Sequence, residues 1–233
     1  MSKFNFLSKL NFIQALISKF ISFLNPILIH NLGKYMALKK AFYLSSLDQT
    51  QGDYFEFGVF TGSSFCHAIN CAKRSTVYDP KLKDIMFYGF DSFEGFGPLE
   101  EKEKHPFYTD INFKVNYNDV YKRINKCINE NQFRLVKGYF KDSLQNQPNS
   151  SLARIVFIDC DIYNASKDAL NYISKIVQIG TIIILDDYFS YKGSENKGVY
   201  AAFNEFKKEN KLTTRTLFYY GMGGIATIVS SIN

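Results

Sequence analysis

The fold of this 233-residue chain is decided by two segments, Arg154-Ile-Val-Phe-Ile-Asp-Cys-Asp-Ile-Tyr163 and Gly180-Thr-Ile-Ile-Ile-Leu-Asp-Asp-Tyr188. Each segment is an apolar run of strand length that stops at a cluster of aspartates. Two carboxylates about 4 Å apart repel each other by roughly 4 kcal/mol at an effective dielectric constant of ~20. A bound cation relieves this repulsion. The two segments therefore predict a metal site where two buried strands end, which in turn favours an enzyme.

Around these segments, the chain alternates between apolar runs and amphipathic runs. We predict strands over 53–59, 85–91, 133–138, 154–160 and 180–186, and helices over 63–73, 118–129, 164–177 and 197–209. The strands lack a two-residue period, which indicates a parallel sheet covered by helices on both faces. Two further β-rich runs, 213–219 and 225–230, are joined by Gly221-Met-Gly-Gly224 and predict a closing hairpin. The fold class is therefore α/β, with a mostly parallel seven-stranded sheet.

The N-terminal residues predict helices that precede this domain. Residues 4–24 have apolar side chains at the three-and-four spacing of one helix face, Pro26 fits a stop, and a second helix is expected over 34–47. We assign 1–48 to a helical extension and 49–233 to the main domain. The interrupting lysines and the lack of a cleavage site predict neither a secretory signal nor a membrane span. We expect the first helix to pack on the domain or on a second subunit of a homodimer, and weak docking on a membrane surface remains an alternative.

The composition excludes several classes of protein. Apolar residues make up 46% of the chain and charged residues 21%, as in an ordinary soluble protein. The formal net charge of +6 comes from scattered lysines, so we expect no nucleic-acid partner. The four cysteines have no CxxC spacing, which predicts neither a zinc site nor a disulfide framework. Reduced thiols favour a cytoplasmic location.

The first predicted strand runs into a glycine turn that suits a cofactor. The turn contains Gly58 and Gly62 in a Gly-x-x-x-Gly spacing, followed by a helix whose first amides are free. This spacing differs from the dinucleotide pattern, and a purely structural turn is equally compatible with it. Asp91 ends the second strand, where a carboxylate either accepts hydrogen bonds from ribose hydroxyls or caps a helix. Phe140, after the third strand, either borders an adenine or belongs to the core.

Five motifs together resemble one family, the macrocin O-methyltransferase type of sugar methyltransferase. They occur in order over about residues 50–210 and read Glu56-Phe-Gly-Val-x-x-Gly62, Gly89-Phe-Asp-Ser-Phe-Glu-Gly95, Lys137-Gly-Tyr-Phe-Lys-Asp-Ser-Leu144, Ile158-Asp-Cys-Asp-Ile-Tyr163 and Asp186-Asp-Tyr188. The resemblance implies a class I methyltransferase, Rossmann-like fold with S-adenosylmethionine (SAM) as methyl donor and Mg²⁺ as cofactor. It also implies that Asp159, Asp186 and Asp187 hold the metal and that Asp161 is the general base. The implied cofactor-binding residues are Glu56, Phe57, Gly58, Gly62, Ser63, Asp91, Ser92, Gly138, Phe140 and Asp159.

The chemistry of these residue types agrees with the resemblance. Three carboxylates without histidine or cysteine favour Mg²⁺ over Zn²⁺. We expect transfer of a methyl group from SAM to a hydroxyl of a sugar, either nucleotide-activated or linked to a glycan. An AT-rich codon signature, seen in the heavy use of Phe, Tyr, Ile, Asn and Lys, favours bacterial surface polysaccharide as the pathway. A catechol-like small-molecule methyltransferase, a non-enzymatic SAM-binding protein and a nicotinamide-dependent dehydrogenase are the alternatives.

Other residues are candidates for a substrate pocket. The polar segment 92–117 is predicted to form a lid, and within it His105 either reaches the substrate or stays solvated. The tyrosines near the two aspartate clusters are candidates for the acceptor pocket: Tyr163, Tyr188 and Tyr191. Aspartates at strand ends also cap helices, so a single aspartate could have that structural role alone.

Overall fold

The computed structural model describes residues 10–109, 113–145, 147 and 151–233. The helices are α1 (Asn11–Phe23), α2 (Pro26–Leu47), α3 (Ser63–Ser75), α4 (Tyr117–Asn125), α5 (Tyr163–Ile173) and α6 (Gly198–Glu209). The strands are β1 (Asp53–Phe57), β2 (Phe87–Asp91), β3 (Phe133–Lys137), β4 (Ala153–Ile158), β5 (Ile182–Leu185), β6 (Leu212–Tyr220) and β7 (Gly224–Ile232). Short helical turns occur at Phe140–Ser143 and Ser190–Gly193. The first residues of the predicted helix 4–24 lie outside the described part.

The two N-terminal helices meet at a sharp break. The Asn25 side chain accepts a hydrogen bond from the Ile27 amide at 2.9 Å, and Pro26 occupies the first turn of α2. Proline is favoured there because its fixed φ suits the helix start and its missing N–H is not needed. The predicted start of the second helix at 34 is therefore wrong: Pro26 both ends one helix and begins the next.

These helices also bear on membrane association. Among the described residues, no single helix is long and apolar enough to cross a membrane. Helices α1 and α2 together reach the length and composition of a span, but they are bent by 90° at the break between them.

The seven strands form one sheet in the order β3-β2-β1-β4-β5-β7-β6. The strands from β3 to β5 are parallel, and β7 pairs antiparallel with both β5 and β6. The predicted mostly parallel sheet and closing hairpin are confirmed. Because β2 lies on one side of β1 and β4 on the other, the strand order reverses between β1 and β4. Ligands of such sheets bind at the carboxyl ends of the strands beside this switch point.

Apolar side chains of the sheet alternate between two buried layers. On β1, Tyr54 packs in the layer that contains Phe42 of α2 and α3, whereas Phe57 packs in the layer that contains Leu170 of α5 and α6. Successive strand side chains point to opposite faces, so each strand contributes to both layers. Since Ala37, Leu38, Ala41 and Phe42 are buried, the second half of α2 belongs to the core of the main domain.

A buried ion pair lies at the amino end of β4. The Arg154 Nη2 atom is 2.6 Å from Asp79 Oδ2, and the two side chains are 1% and 3% exposed. Within the described residues, the Arg154 Nε and Nη1 atoms have no other hydrogen-bond partner. Asp79 therefore provides the main compensation for a charge that is almost fully removed from water.

We predict that Asp79→Asn destabilises the protein by about 3 kcal/mol, because it leaves the buried guanidinium without a counter-charge. The measurement is the free energy of unfolding from urea titration. Asp84→Asn, an exposed position close by in the chain, is the matched control and should change that free energy little. Equal effects of the two substitutions would contradict the assigned role of the pair.

Candidate active site

A cavity of about 800 Å³ opens at the carboxyl ends of β1, β2, β4 and β5. Its wall contains many of the predicted site residues: Gly58, Ser63, Asp91, Ser92, Phe140, Asp159, Asp161, Asp186 and Asp187. The others are not part of this wall: Glu56, Phe57, Gly62 and Gly138. The structure thus brings the predicted aspartates together in the wall of one cavity and places part of the glycine turn behind this wall.

The end of β1 approaches the end of β4 so closely that only glycine fits between them. Gly58 has φ +92°, and a Cβ atom at this position would lie 1.7 Å from the Asp159 carbonyl oxygen. The Asp159 amide donates to the Phe57 carbonyl at 2.8 Å and fixes the approach. The chain then passes to the N-terminus of α3, where Ser63 and Ser64 reach the cavity. At Gly58 this turn exposes backbone to the cavity.

Glu56 lies beneath the turn and is fully buried. The Ser64 hydroxyl donates to its Oε1 atom at 2.6 Å, and the Tyr54 hydroxyl donates to its Oε2 atom. Burial raises the pKa of Glu56 to about 7, although the hydrogen bonds from Ser64 and Tyr54 oppose this shift. Both oxygens are used within the protein, so Glu56 supports the turn from behind and does not form its surface.

Asp91 fixes the two loops that follow β1 and β2 at the edge of the cavity. Its Oδ2 atom accepts a hydrogen bond from the Phe60 amide at 2.7 Å, and its Oδ1 atom accepts one from the Phe93 amide at 2.6 Å. Burial raises the pKa of this carboxyl, against the effect of these amides. A carboxylate oxygen has two lone pairs, so Asp91 retains capacity for two hydroxyl donors of a ribose.

The aspartates that follow β4 and β5 converge on one point of the cavity. One oxygen each of Asp159, Asp186 and Asp187 can be chosen so that all three lie within 4.8 Å of one another. Burial and the charges of Asp187 and Asp159 raise the pKa of Asp161, and its φ of +62° is a backbone conformation that aspartate and asparagine tolerate better than most residues. The loop after β4 therefore turns back and brings its second carboxylate to the cluster.

Two residues of α2 that the sequence analysis did not identify contact this cluster. The Lys34 Nζ atom lies 2.7 Å from Asp159 Oδ2 and 2.9 Å from Asp186 Oδ2. The His30 Nε2 atom, one helical turn earlier, is 2.9 Å from the same Asp186 oxygen, and its Nδ1 atom accepts the Met222 amide at 3.1 Å. The sequence signal that could have identified them is a His and a Lys four positions apart in a largely apolar stretch.

The charges of the cluster shift the pKa values of its aspartates in different directions. Burial raises the pKa of Asp159, Asp161 and Asp187, and neighbouring aspartates raise it further. For Asp186, burial also acts upward, but the Lys34 charge and hydrogen bonds from His30 and Tyr220 hold its pKa below the usual value. The pKa of Asp159 stays raised although Lys34 contacts it, so Asp159, Asp161 and Asp187 are the carboxylates that most need further positive charge.

The segment 92–117 contacts the cluster directly through one tyrosine. The Tyr108 hydroxyl donates to Asp187 Oδ1 at 3.0 Å and lies 2.6 Å from Ser190 Oγ. His105 stacks on Tyr108 with ring centroids 4.4 Å apart and is not part of the cavity wall. The segment lines the cavity with Phe96, Phe107, Tyr108 and Phe113, while residues 110–112 lie outside the described part.

The acceptor-pocket tyrosines need a correction. None of Tyr163, Tyr188 and Tyr191 is part of the cavity wall, where Tyr35, Tyr108 and Tyr139 are found instead. The Tyr163 hydroxyl donates to Glu205 Oε2 at 2.7 Å, and the buried Tyr191 hydroxyl donates to the Glu103 carbonyl at 2.8 Å. These two tyrosines connect helices and loops behind the cavity because their positions after the strand ends face away from it.

The residues of this cavity fit both a divalent metal ion and a nucleoside ligand. Three convergent carboxylates form the oxygen-only donor set that Mg²⁺ or Mn²⁺ prefers. The exposed backbone at Gly58, the free amides at the start of α3 and the Asp91 carboxylate fit a nucleoside ligand that carries a polar chain. The two sites share Asp159, which lies beside the Gly58 turn.

Comparisons with known proteins agree with this geometry. The model of the macrocin O-methyltransferase (TylF) family matches residues 34–218. Mycinamicin III 3''-O-methyltransferase of Micromonospora griseorubida is 28% identical over 152 residues, which cover 60% of this chain and 57% of that relative. The matched region thus spans somewhat more than half of the relative's length.

Solved structures of methyltransferases have the same fold. The O-methyltransferase NovP superposes with a TM-score of 0.70 at 18% identity, covering 85% of this chain and 80% of NovP. The calicheamicin methyltransferase CalS11 gives 0.68 at 20% identity, covering 97% and 90% of the two chains. At these identities the likeness establishes the fold, which is that of class I methyltransferases.

The buried position of Glu56 predicts a specific pH dependence of stability. Its pKa is about 7 in the folded protein against 4.5 for the free side chain, so folding favours the protonated form. This contribution is fully present below the unfolded pKa and is lost as the pH rises through 7. Glu56→Gln removes this titration. When the pH is raised from about 5 to about 8, the free energy of unfolding of the variant should therefore increase by roughly 2 kcal/mol relative to that of wild type.

Urea unfolding across this pH range measures the difference, with the exposed Glu209→Gln as the matched control. Parallel stability curves for wild type and Glu56→Gln would contradict the assigned pKa.

Proposed function

The chain belongs to the macrocin O-methyltransferase family, and we propose that it transfers a methyl group from SAM to a sugar hydroxyl with the help of a divalent metal ion. One observation carries the proposal: a triad of convergent carboxylates and a glycine turn suited to SAM share one cavity. Binding of SAM follows from the family and from the fold, whereas the metal, the acceptor and the residue roles are our inference.

The residues around Gly58 would hold the methyl donor. When bound, SAM supplies an electrophilic methyl group on a sulfonium. The Gly58 turn and the first amides of α3 would bind its methionine part, and Asp91 would accept hydrogen bonds from its ribose hydroxyls. Phe140, which lines the cavity beside this region, would contact the adenine. Glu56 would act indirectly, by fixing Ser64 at the start of α3.

Asp159, Asp186 and Asp187 would hold the metal ion. When bound, Mg²⁺ would make the proton of a coordinated hydroxyl more acidic, as it does for water, and would fix the position of vicinal hydroxyls. The Tyr220 hydroxyl donates to Asp186 Oδ1 at 2.7 Å and the Tyr108 hydroxyl donates to Asp187 Oδ1. Each of these two tyrosines thus orients one of the three carboxylates.

Asp161 would take the proton from the acceptor hydroxyl. Burial and the charges of Asp187 and Asp159 raise its pKa, which makes its carboxylate a stronger base. It is not one of the three convergent carboxylates, yet the charges of Asp187 and Asp159 act on it, so it belongs to the same cluster. The proton would pass to Asp161 as the hydroxyl oxygen attacks the methyl carbon and the bond from that carbon to the sulfonium sulfur breaks, which leaves a neutral thioether as the leaving group.

A sugar acceptor is supported by the relatives. Mycinamicin III 3''-O-methyltransferase matches by sequence, and one CalS11 structure is described as a TDP-rhamnose 3'-O-methyltransferase. We extend this acceptor class to the present chain as a nucleotide-activated or glycan-linked sugar. The AT-rich composition supports bacterial surface polysaccharide as its pathway.

One observation favours a second acceptor class. The cavity wall is rich in phenylalanine, with Phe60, Phe96, Phe107, Phe113 and Phe189 around the aspartates. An aromatic diphenol, whose vicinal hydroxyls also bind metal ions, would suit such a wall. The test is transfer of labelled methyl from SAM to a panel of sugar nucleotides, glycans and diphenols, with Mg²⁺ and with a chelator. Turnover of diphenols alone would overturn the sugar assignment.

We predict that Asp161→Asn lowers kcat by at least about 100-fold, because general-base catalysis contributes that much. Asparagine tolerates the positive φ, so the affinities for SAM and for Mn²⁺ should stay within a few-fold of wild type. Calorimetry measures SAM binding and electron paramagnetic resonance measures Mn²⁺ binding. Unchanged kcat would exclude Asp161 as the base.

We predict that Lys34→Met raises the affinity for Mn²⁺ roughly tenfold, because it removes a positive charge that already contacts two of the three carboxylates. Lys39→Met, an exposed lysine of the same helix, is the matched control and should change the affinity much less. Weaker Mn²⁺ binding by Lys34→Met would show instead that the ammonium holds the carboxylates in position for the metal.

A further inference from the structure

We infer that α1 is a docking surface for an anionic lipid bilayer and that it brings the mouth of the cavity close to that surface. This inference concerns a part of the chain that the proposed methyl transfer does not use, and it stands or falls independently of it. Its basis is the distribution of apolar and charged residues over the first 47 positions.

The apolar side chains of α1 are left uncovered by the part of the chain that the structure describes. No residue of α1 is buried, and the large apolar side chains are about half to three-quarters exposed: Phe12, Ile13, Leu16, Ile17, Phe20, Ile21 and Phe23. At 100° per residue these positions fill about half of the helix circumference. Asn11, Gln14, Ser18, Lys19 and Ser22 fill the other half. An amphipathic helix of this kind lies in the plane of a bilayer interface with its apolar half inserted.

The charge of this region suits an anionic surface. Residues 1–47 contain six lysines and no aspartate or glutamate; the first acidic residue is Asp48. Lys34 is paired with Asp159 and Asp186, which leaves five lysines for an anionic surface. Anionic headgroups attract such a segment and add to the binding from inserted apolar side chains. A symmetric contact with a second copy, in contrast, would bring two such segments together with no acidic residue in either to pair with the lysines. Charge therefore favours a lipid surface over another copy.

The apolar surface continues from α1 to the cavity. Ile27, at the start of α2, is 59% exposed and also lines the cavity. Three further cavity-lining side chains, Phe107, Phe189 and Met222, are each at least half exposed. Exposed apolar side chains thus surround the opening of the cavity. The first of them, Ile27, directly follows the break between α1 and α2. Insertion of α1 would bring this opening close to the lipid.

Vesicle flotation tests the inference on the full chain. Wild type should float with vesicles of equimolar phosphatidylglycerol and phosphatidylcholine, less with phosphatidylcholine alone, and less at high salt because screening weakens the lysine contribution. Leu16→Ser with Phe20→Ser should reduce binding to the anionic vesicles by at least about tenfold. Gln14→Ser with Ser18→Asn, on the polar half of the same helix, should leave binding within about twofold.

Both double variants should keep the SAM affinity of wild type, because α1 contributes no buried residue. Failure of wild type to float would overturn the inference, as would equal loss in the two double variants. Sedimentation provides the competing outcome: a dimer that dissociates in Leu16→Ser with Phe20→Ser, in a protein that does not bind vesicles, would assign the surface to a second copy.

Discussion

The structure depends on the crowding of three carboxylates at the ends of two adjacent buried strands. Asp159 follows β4, and Asp186 and Asp187 follow β5, so the parallel pairing of these strands forces the three side chains together. Such a cluster is stable only with positive charge close by. Lys34 of α2 supplies such charge from outside the sheet, through its ammonium between Asp159 and Asp186. The position of α2 is thus tied to the same electrostatic requirement as the site.

Much of the fold and part of the site could be predicted because their signals are local. Apolar runs that end in aspartates specify strands and place carboxylates at one edge, and the alternation with helices specifies a parallel sheet. Residues that act over long sequence distances could not be predicted in this way. His30 and Lys34 reach Asp186 and Asp159 across more than 120 positions, and a sequence pattern does not show which edge a distant helix covers.

Glu56 is an instructive intermediate case. The motif places it in the cofactor turn, but on a strand it shares a face with Tyr54, two residues earlier, and that face packs against α3. The alternating direction of side chains along a strand would have placed Glu56 beside Tyr54 as a buried carboxylate, and Ser64 and Tyr54 donate hydrogen bonds to it. The segment 92–117, which was expected to lie over the site as a polar lid, also differs from that expectation. It contributes Phe93, Glu103 and Tyr108 to the interior, because its backbone turns bring these side chains under the loop.

The central claim is that Asp159, Asp186 and Asp187 form a divalent metal site. Anomalous diffraction from crystals grown with Mn²⁺ tests it most directly. The account predicts an anomalous peak within about 2.5 Å of one oxygen of each of the three carboxylates. Absence of any peak at the three carboxylates, with Lys34 still bridging Asp159 and Asp186 in the same crystals, would contradict it.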